Sequence, residues 1–371
     1  MKKKIVVSYF HREDILQNKN IRNEYQILGL VDRKTDVGTI VDGYRIFSHW
    51  EVRELFINER VDYLILPASI KIRILSSMIS NFETYGIGKE KILIMLQSGE
   101  ICSLEEYHYL PYLEFHVCDH CNLNCKGCSH FSPLVDGEVW ADFEEIKRDF
   151  YQLKKLVNHI ENIHILGGEP LLNKDLYRYI ELVHEVYPYA EIQIVTNGLL
   201  IKKMDEKLIS TIKKNRVSIF ISLYPPMYSK IDEIVRWLDD NGIEAGFSEP
   251  VEKFSYLFDE NTVHTDGIQR INCTCINLYH GKLAACPMMV YIDYFNKSFN
   301  IKFKNEDGLI DIYDVDLNFE KLKKRLQIPV TLCKKCLCVS QNEDGIMKNW
   351  SQGKEQTISD YVYMKEENNY E

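Results

Sequence analysis

The sequence predicts an α/β protein built from successive parallel sheets. Apolar strand candidates alternate with helical periodicities twice along the chain, and 371 residues at 45% hydrophobic content can bury more than one core. In the first alternation, strand candidates fall at 4–9, 26–31, 63–66 and 91–96, separated by amphipathic stretches, which reads as a small parallel α/β domain over 1–105. The second runs over 106–255, with strand candidates at 112–117, 162–166, 191–195, 217–222 and 243–247. Between them, Phe143, Ile146, Phe150, Leu153 and Val157 share one helical face, and Ile231, Ile234, Val235 and Leu238 share another. Repeated strand-helix units of this kind curl toward a barrel whose functional groups sit at the C-terminal strand ends. From 256 to 350 the rhythm changes to a cysteine-bearing hairpin at 282–292, an amphipathic helix near 319–326 and further cysteines. Residues 351–371 read as a polar tail.

Charge narrows the partners. With 45 basic against 55 acidic residues the net charge is -10, and no Lys/Arg-rich run marks a nucleic-acid surface. Lys2, Lys3 and Lys4 precede a short apolar run that breaks at Ser8, so the opening reads as a first strand and not a signal peptide. No apolar stretch reaches the roughly 18 residues of a membrane span. A cytoplasmic protein without nucleic-acid or membrane partners is expected.

The first domain lacks a dinucleotide fingerprint. Ser8, Tyr9, Phe10 and His11 follow the first strand where a GxGxxG loop would stand, although Asp32 ends the second strand where a ribose hydroxyl is held in such folds. Through Leu28-Gly29-Leu30-Val31-Asp32 and Asp62-Tyr63-Leu64-Ile65-Leu66 the segment resembles the Rossmann-like N-terminal domains of bacterial sugar-modifying acyltransferases.

Cysteine carries the chemistry. Ten of the eleven fall into three groups: Cys118, Cys121, Cys125 and Cys128; Cys273, Cys275 and Cys286; Cys333, Cys336 and Cys338. In a reducing compartment such groups point to soft metals more than to disulfides. Cys121, Cys125 and Cys128, spaced by three and then two residues after the first barrel strand, suit three corners of an iron-sulfur cube and leave one iron open. Cys118-x-x-Cys121 and Cys125-x-x-Cys128 also fit paired zinc ligands. One strand later comes Gly167-Gly168-Glu169-Pro170.

The cysteine triplet together with this GGEP segment resembles the radical S-adenosylmethionine (radical SAM) superfamily. The resemblance implies a partial (β/α)6 TIM-like barrel, a 4Fe-4S cluster on Cys121, Cys125 and Cys128, and S-adenosylmethionine bound at Gly167, Gly168, Glu169 and Pro170. It further implies cofactor contacts at Asn197 and Ser222, and reductive cleavage to a 5′-deoxyadenosyl radical. The sequence departs from the family at Gly127, where an aromatic that packs on adenine is usual; His130 or Phe131 are the substitutes in view. Gly281-Lys282-Leu283-Ala284-Ala285-Cys286 and Cys333-x-x-Cys336 resemble the twitch or SPASM extensions. They imply one auxiliary 4Fe-4S cluster on Cys275, Cys286, Cys333 and Cys336, with Cys273 an alternative to Cys275. Cys273 and Cys338 remain as candidate hydrogen-atom donors or uncommitted thiols, and Cys118 and Cys102 as bystanders.

The expected function is an oxidoreductase or epimerase that takes a hydrogen atom from a small polar substrate, a sugar or nucleotide sugar, with electrons from a flavodoxin- or ferredoxin-type donor. A peptide-modifying maturase and a non-catalytic iron-sulfur or zinc module are the alternatives.

Overall fold

The computed structural model describes residues 2–32, 36–259, 273, 275–337 and 346–364. The chain divides into two compact units, 1–109 and 110–371.

The first unit is a seven-stranded sheet in the spatial order Ile40–Val41, Tyr44–Phe47, Tyr25–Val31, Lys3–Ser8, Tyr63–Pro67, Ile92–Met95, Ile101–Ser103. The five central strands pair in parallel, and a short antiparallel strand closes each edge. Both faces are covered. Val6, Leu64, Leu66, Ile92 and Ile94 pack with Leu75 and Phe82, whereas Ile5, Val7, Leu30 and Ile65 pack with Ile15 and Ile21. Burial on both faces is why these strands read as continuous apolar runs without polar alternation. Cys102 lies in the last edge strand, where burial, with Glu106 and Glu100 nearby, pushes its thiol up to about 11.

The second unit is built on an eight-stranded sheet in the order Ala245–Phe247, Ser218–Ile221, Glu191–Thr196, His159–Leu166, Tyr109–His116, Asn277–Tyr279, Lys282–Ala284, Ile310–Asp311. The strands from Ala245–Phe247 to His159–Leu166 pair in parallel, as Asn277–Tyr279 does with Tyr109–His116. Five strands follow chain order as a partial barrel, and the sixth parallel strand joins beside the first. Helices Phe143–Leu156, Leu176–Val186, Glu206–Lys214 and Ile231–Asn241 fill the crossovers and bury Phe150, Leu153, Ile180, Val183, Leu208, Ile212, Ile234 and Leu238.

The hairpin expected at 282–292 lies upstream, between Asn277–Tyr279 and Lys282–Ala284. Its turn is His280-Gly281, with φ 47° and 69°, a pair that favours a tight hairpin turn. Asp149 holds the turn by accepting hydrogen bonds from the Gly281 N–H (2.7 Å) and the Tyr313 hydroxyl (2.7 Å). Residues 287–292 instead open the helix Pro287–Phe299. Pro287 suits its first turn, and Met288, Met289, Val290, Tyr291 and Ile292 are buried on every side, so no helical periodicity shows in the sequence.

A second core gathers Phe131, Phe258, Tyr291, Phe295, Leu332, Tyr361 and Val362. Residues 346–364, part of which the sequence assigns to a polar tail, are docked in this unit. Met347–Asn349 pairs with Lys253–Ser255, Val362–Tyr363 pairs with Phe258–Asp259, and Tyr361 is fully buried. Among the described residues no helix is long and apolar enough to cross a membrane.

The strand order of the first unit admits a dinucleotide, but the loop after Lys3–Ser8 has no glycine to let a pyrophosphate approach the backbone. Calorimetric titration with NAD should therefore show no saturable micromolar binding, and micromolar affinity would contradict this reading of the loop.

Candidate functional site

The site begins where the second strand of the barrel meets the chain leaving the first. The Gly168 N–H donates to the Cys118 carbonyl (2.8 Å) and the Glu169 N–H to that of His120 (3.2 Å). The contact is backbone against backbone: a Cβ on Gly167 would run into the Cys118 carbonyl, and one on Gly168 into that of His120. The two glycines thus seat the segment that leads into the cysteine loop.

Glu169 faces inward. Its carboxylate accepts from the Thr196 hydroxyl (2.6 Å), the Asn197 N–H (2.9 Å) and the Leu171 N–H (3.0 Å). Complete burial pushes its pKa up, against these three donors. Its work is to tie the end of the second strand to the end of the third. Pro170, also buried, opens the short helical turn Pro170–Leu172 behind it.

These ties converge on a cavity of about 410 Å³ lined by Cys121, Cys125, Cys128, Gly167, Gly168, Asn197 and Ser222, with His130, Tyr224 and Phe254 completing the wall. These seven, with Gly127 and His130, are singled out in the sequence and share one cavity. Burial pushes the Cys121 thiol up to about 12, with Glu169 and Cys128 adding to the effect, and Cys125 is raised by burial and by its two partner thiols. Positively charged irons would reverse that balance, because thiolates that repel one another are stabilised by a shared cation centre. Donors already point at two of the sulfurs: the Leu123 N–H at Cys121 Sγ (3.4 Å) and the Trp350 indole N–H at Cys125 Sγ (3.3 Å). The donor set fits an iron-sulfur cube. A cube does not ask its thiols to converge on one point, and among the described residues no three Cys, His, Asp or Glu side chains do so.

Cys118 is a buried thiol that donates to the Glu169 carbonyl (3.2 Å). Gly127 has a physical reason to differ from the family's aromatic. It is at φ +83°, and a Cβ there would lie 2.5 Å from the Asp360 carbonyl and 3.0 Å from Lys348 Cε. The C-terminal segment fills the space a ring would need. Of the two substitutes, Phe131 is fully buried among Phe258, Phe295 and Tyr361, while His130 is on the cavity wall.

Sequence reasoning missed the network behind His130. Asp119 accepts from His116 Nδ1 at 2.7 Å on one oxygen, and from the hydroxyls of Tyr294 (2.6 Å) and Tyr279 (3.1 Å) on the other. His116 Nε2 lies 2.8 Å from His130 Nδ1, and the His116 ring stacks on Tyr291 at 4.0 Å. Burial alone would raise Asp119, yet the His116 contact and the two tyrosine hydroxyls hold its pKa below the usual carboxylate range. An ionised Asp119 has no proton to give, so His116 donates through Nδ1, and its Nε2 shares a second hydrogen bond with His130 Nδ1. The only signal in the sequence is His116 and Asp119 flanking Cys118, too short a pattern to read.

The downstream cysteines divide. Cys333 and Cys336 are buried in the second core, and Cys286 packs against it. Cys286 is also the N-cap of Pro287–Phe299. Cys275 is exposed, two residues before the strand Asn277–Tyr279, and Cys273 is half-buried. Cys338 lies outside the described residues.

The Radical SAM superfamily model matches residues 116–251. This stretch of the chain is a radical SAM domain. Radical SAM proteins bind a 4Fe-4S cluster and S-adenosylmethionine, and the matched stretch holds the cysteine loop, the GGEP segment, Asn197 and Ser222. Similar relatives include the GTP 3′,8-cyclase of Staphylococcus carnosus, 33% identical over 100 residues, which are 26% of this chain and 29% of that protein. A probable GTP 3′,8-cyclase of Methanococcus aeolicus is 31% identical over 159 residues, 41% of this chain and 51% of that protein. The chain spans at most about half the length of these curated relatives. Among solved structures, BtrN in complex with AdoMet and 2-DOIA is 20% identical with a TM-score of 0.39, covering 68% of this chain and 98% of that one.

Two outcomes follow from the geometry. Gly168→Ala should lower stability by about 1–3 kcal/mol, the usual cost of forcing a group into filled space, read as a drop in Tm. Asp119→Asn should cost about 2–4 kcal/mol at pH 7, since it breaks a buried charge-assisted network. Because the folded pKa of Asp119 is depressed, its contribution is complete above the unfolded value of about 4 and is lost as pH falls through the folded one. Thermal unfolding from pH 7 to pH 3 should therefore show the gap between wild type and Asp119→Asn closing at the acid end.

Proposed function

We propose that this protein reductively cleaves S-adenosylmethionine and takes a hydrogen atom from a small polar substrate, a sugar or nucleotide sugar. The observation that carries the reading is the meeting of Cys121, Cys125 and Cys128 with Gly167, Gly168, Asn197 and Ser222 around one cavity. When bound, the reduced cluster supplies the electron that splits the sulfonium and releases the 5′-deoxyadenosyl radical. In this reading Cys121, Cys125 and Cys128 would hold the cube, and the cavity beside them would take S-adenosylmethionine. The glycine pair places carbonyl groups beside its methionine end. Asn197 and Ser222 would meet its carboxylate or ribose, and Tyr224, Phe254 and His130 on the cavity wall would be available to the adenine. A closed auxiliary cluster on Cys286, Cys333 and Cys336, with Cys275 or Cys273 as fourth ligand, would accept or relay one electron from the substrate radical.

Hydroxyl, amide and imidazole groups suit a polyhydroxylated substrate. Among the described lining residues there is no Lys or Arg to pair with a triphosphate. A second reading, a nucleotide substrate, is favoured by the names of the GTP 3′,8-cyclase relatives. A nucleotide sugar satisfies both. A parallel α/β unit at 1–109, in place of a leader-binding winged helix, weighs against a peptide maturase.

Anaerobic reconstitution should load about eight irons per chain, the content of two 4Fe-4S clusters, and Cys121→Ala, Cys125→Ala and Cys128→Ala combined should halve it. The same variant should make no 5′-deoxyadenosine; cleavage at the wild-type rate would overturn the assignment. With GTP and nucleotide sugars offered separately, mass spectrometry in heavy water then reads the outcome. Dehydrogenation, the favoured one, gives a product lighter by two hydrogens, whereas inversion at one carbon brings in one deuterium.

A further inference from the structure

The indole N–H of Trp350 has an unusual partner. A half-buried tryptophan normally spends its N–H on an oxygen, but here it donates to Cys125 Sγ at 3.3 Å. Its placement is not incidental. The Trp350 backbone N–H donates to the Glu252 carbonyl (2.8 Å), the Lys126 N–H to the Ser351 carbonyl (2.9 Å), and the Gly353 N–H to the Asn124 carbonyl (3.1 Å). Residues 350, 351 and 353 are therefore pinned beside the cysteine loop, with Cys125 and Gln352 in an isolated antiparallel bridge. The ring lies against Tyr224 at 6.0 Å and 26°, which fixes the direction in which the N–H points. Behind it, Asp360 pairs with Lys126 and Lys348 and holds the segment over Gly127. The outcome is a cysteine only 7% exposed that receives a side-chain hydrogen bond from 225 residues further along the chain.

Hydrogen bonds to ligand sulfurs and shielding from solvent are among the protein's levers on the potential of an iron-sulfur cluster. A donor aimed at a thiolate stabilises negative charge there. One-electron reduction adds negative charge to the cluster, so the reduced state gains more than the oxidised state and the potential rises.

We propose that Trp350 is a positioning residue of the cluster site, whose indole N–H on Cys125 raises the reduction potential of the cluster held by Cys121, Cys125 and Cys128. The proposal rests on the assignment of that cluster and deepens it: the C-terminal segment belongs to the redox centre, because it supplies the side-chain donor to Cys125.

The test is a potentiometric titration of the reconstituted full chain with dithionite as reductant, following the electron paramagnetic resonance signal that changes when S-adenosylmethionine is added. That response singles out the open cluster from the auxiliary one. Trp350→Phe keeps an aromatic ring beside Tyr224 and removes the N–H donor. It should retain its iron and shift the midpoint of this signal to lower potential. Gln356→Ala removes the hydrogen bonds of Gln356 to Gly353 and Tyr361 without touching the N–H···S contact, and should leave the midpoint where it is. An unchanged midpoint in Trp350→Phe, loss of iron in that variant, or an equal shift in Gln356→Ala each overturns the proposal. Absence of any signal responsive to S-adenosylmethionine in the wild type would instead overturn the cluster assignment beneath it.

Discussion

The site depends on one close approach, the backbone of Gly167 and Gly168 against the carbonyls of Cys118 and His120. Neighbouring parallel strands are ordinarily joined by their ladders alone, and the loops beyond their ends diverge. Here hydrogen bonding continues past the ends of two strands, and the Glu169 carboxylate carries it to a third through Thr196 and Asn197. The chain entering the cysteine loop is thereby fixed against the barrel before Cys121 is reached. The glycines are usually read as making room for a cofactor. In this fold their first service is to make room for the protein's own backbone.

Much of this architecture is legible in the sequence because buried parallel strands and amphipathic helices carry strong patterns. The apolar run opening with Ile5, Val6 and Val7 and the stripe through Phe143, Ile146, Phe150 and Leu153 both lead to observed elements. What escapes has weak or misleading periodicity. The helix Pro287–Phe299 is apolar around most of its circumference and reads as a strand. The segment near Tyr361 is polar in composition yet anchored by the buried Tyr361 and Val362, so composition says tail where packing says cover. The strand Asn277–Tyr279 is three residues long and joins the sheet beside a partner over 160 residues earlier, a pairing no local pattern reveals.

The candidate site was legible wherever residues lie close together in sequence. Cys121, Cys125 and Cys128 declare themselves by spacing, and Gly167 and Gly168 by their place after a strand. The rest is assembled from afar. Tyr279 and Tyr294 reach Asp119 across 160 and 175 residues, and Trp350 reaches Cys125 across 225. Gly127 carries the clearest lesson. As a departure from a family pattern it looks like a loss, but its positive φ and the Asp360 carbonyl beside it show a position already occupied by another part of the same chain.

The docked segment also imposes an order of events on the making of the protein. Chains emerge from the ribosome with their N-terminal parts first, so the cysteine loop exists well before Ser351 and Gly353 have been added to cover it. During that interval Cys125 lacks both its indole donor and its shield from solvent. In the finished chain the loop is clasped by backbone hydrogen bonds on two sides and by the Lys126–Asp360 pair. The barrel supplies the place for the loop, and the last stretch of chain to be made supplies its cover.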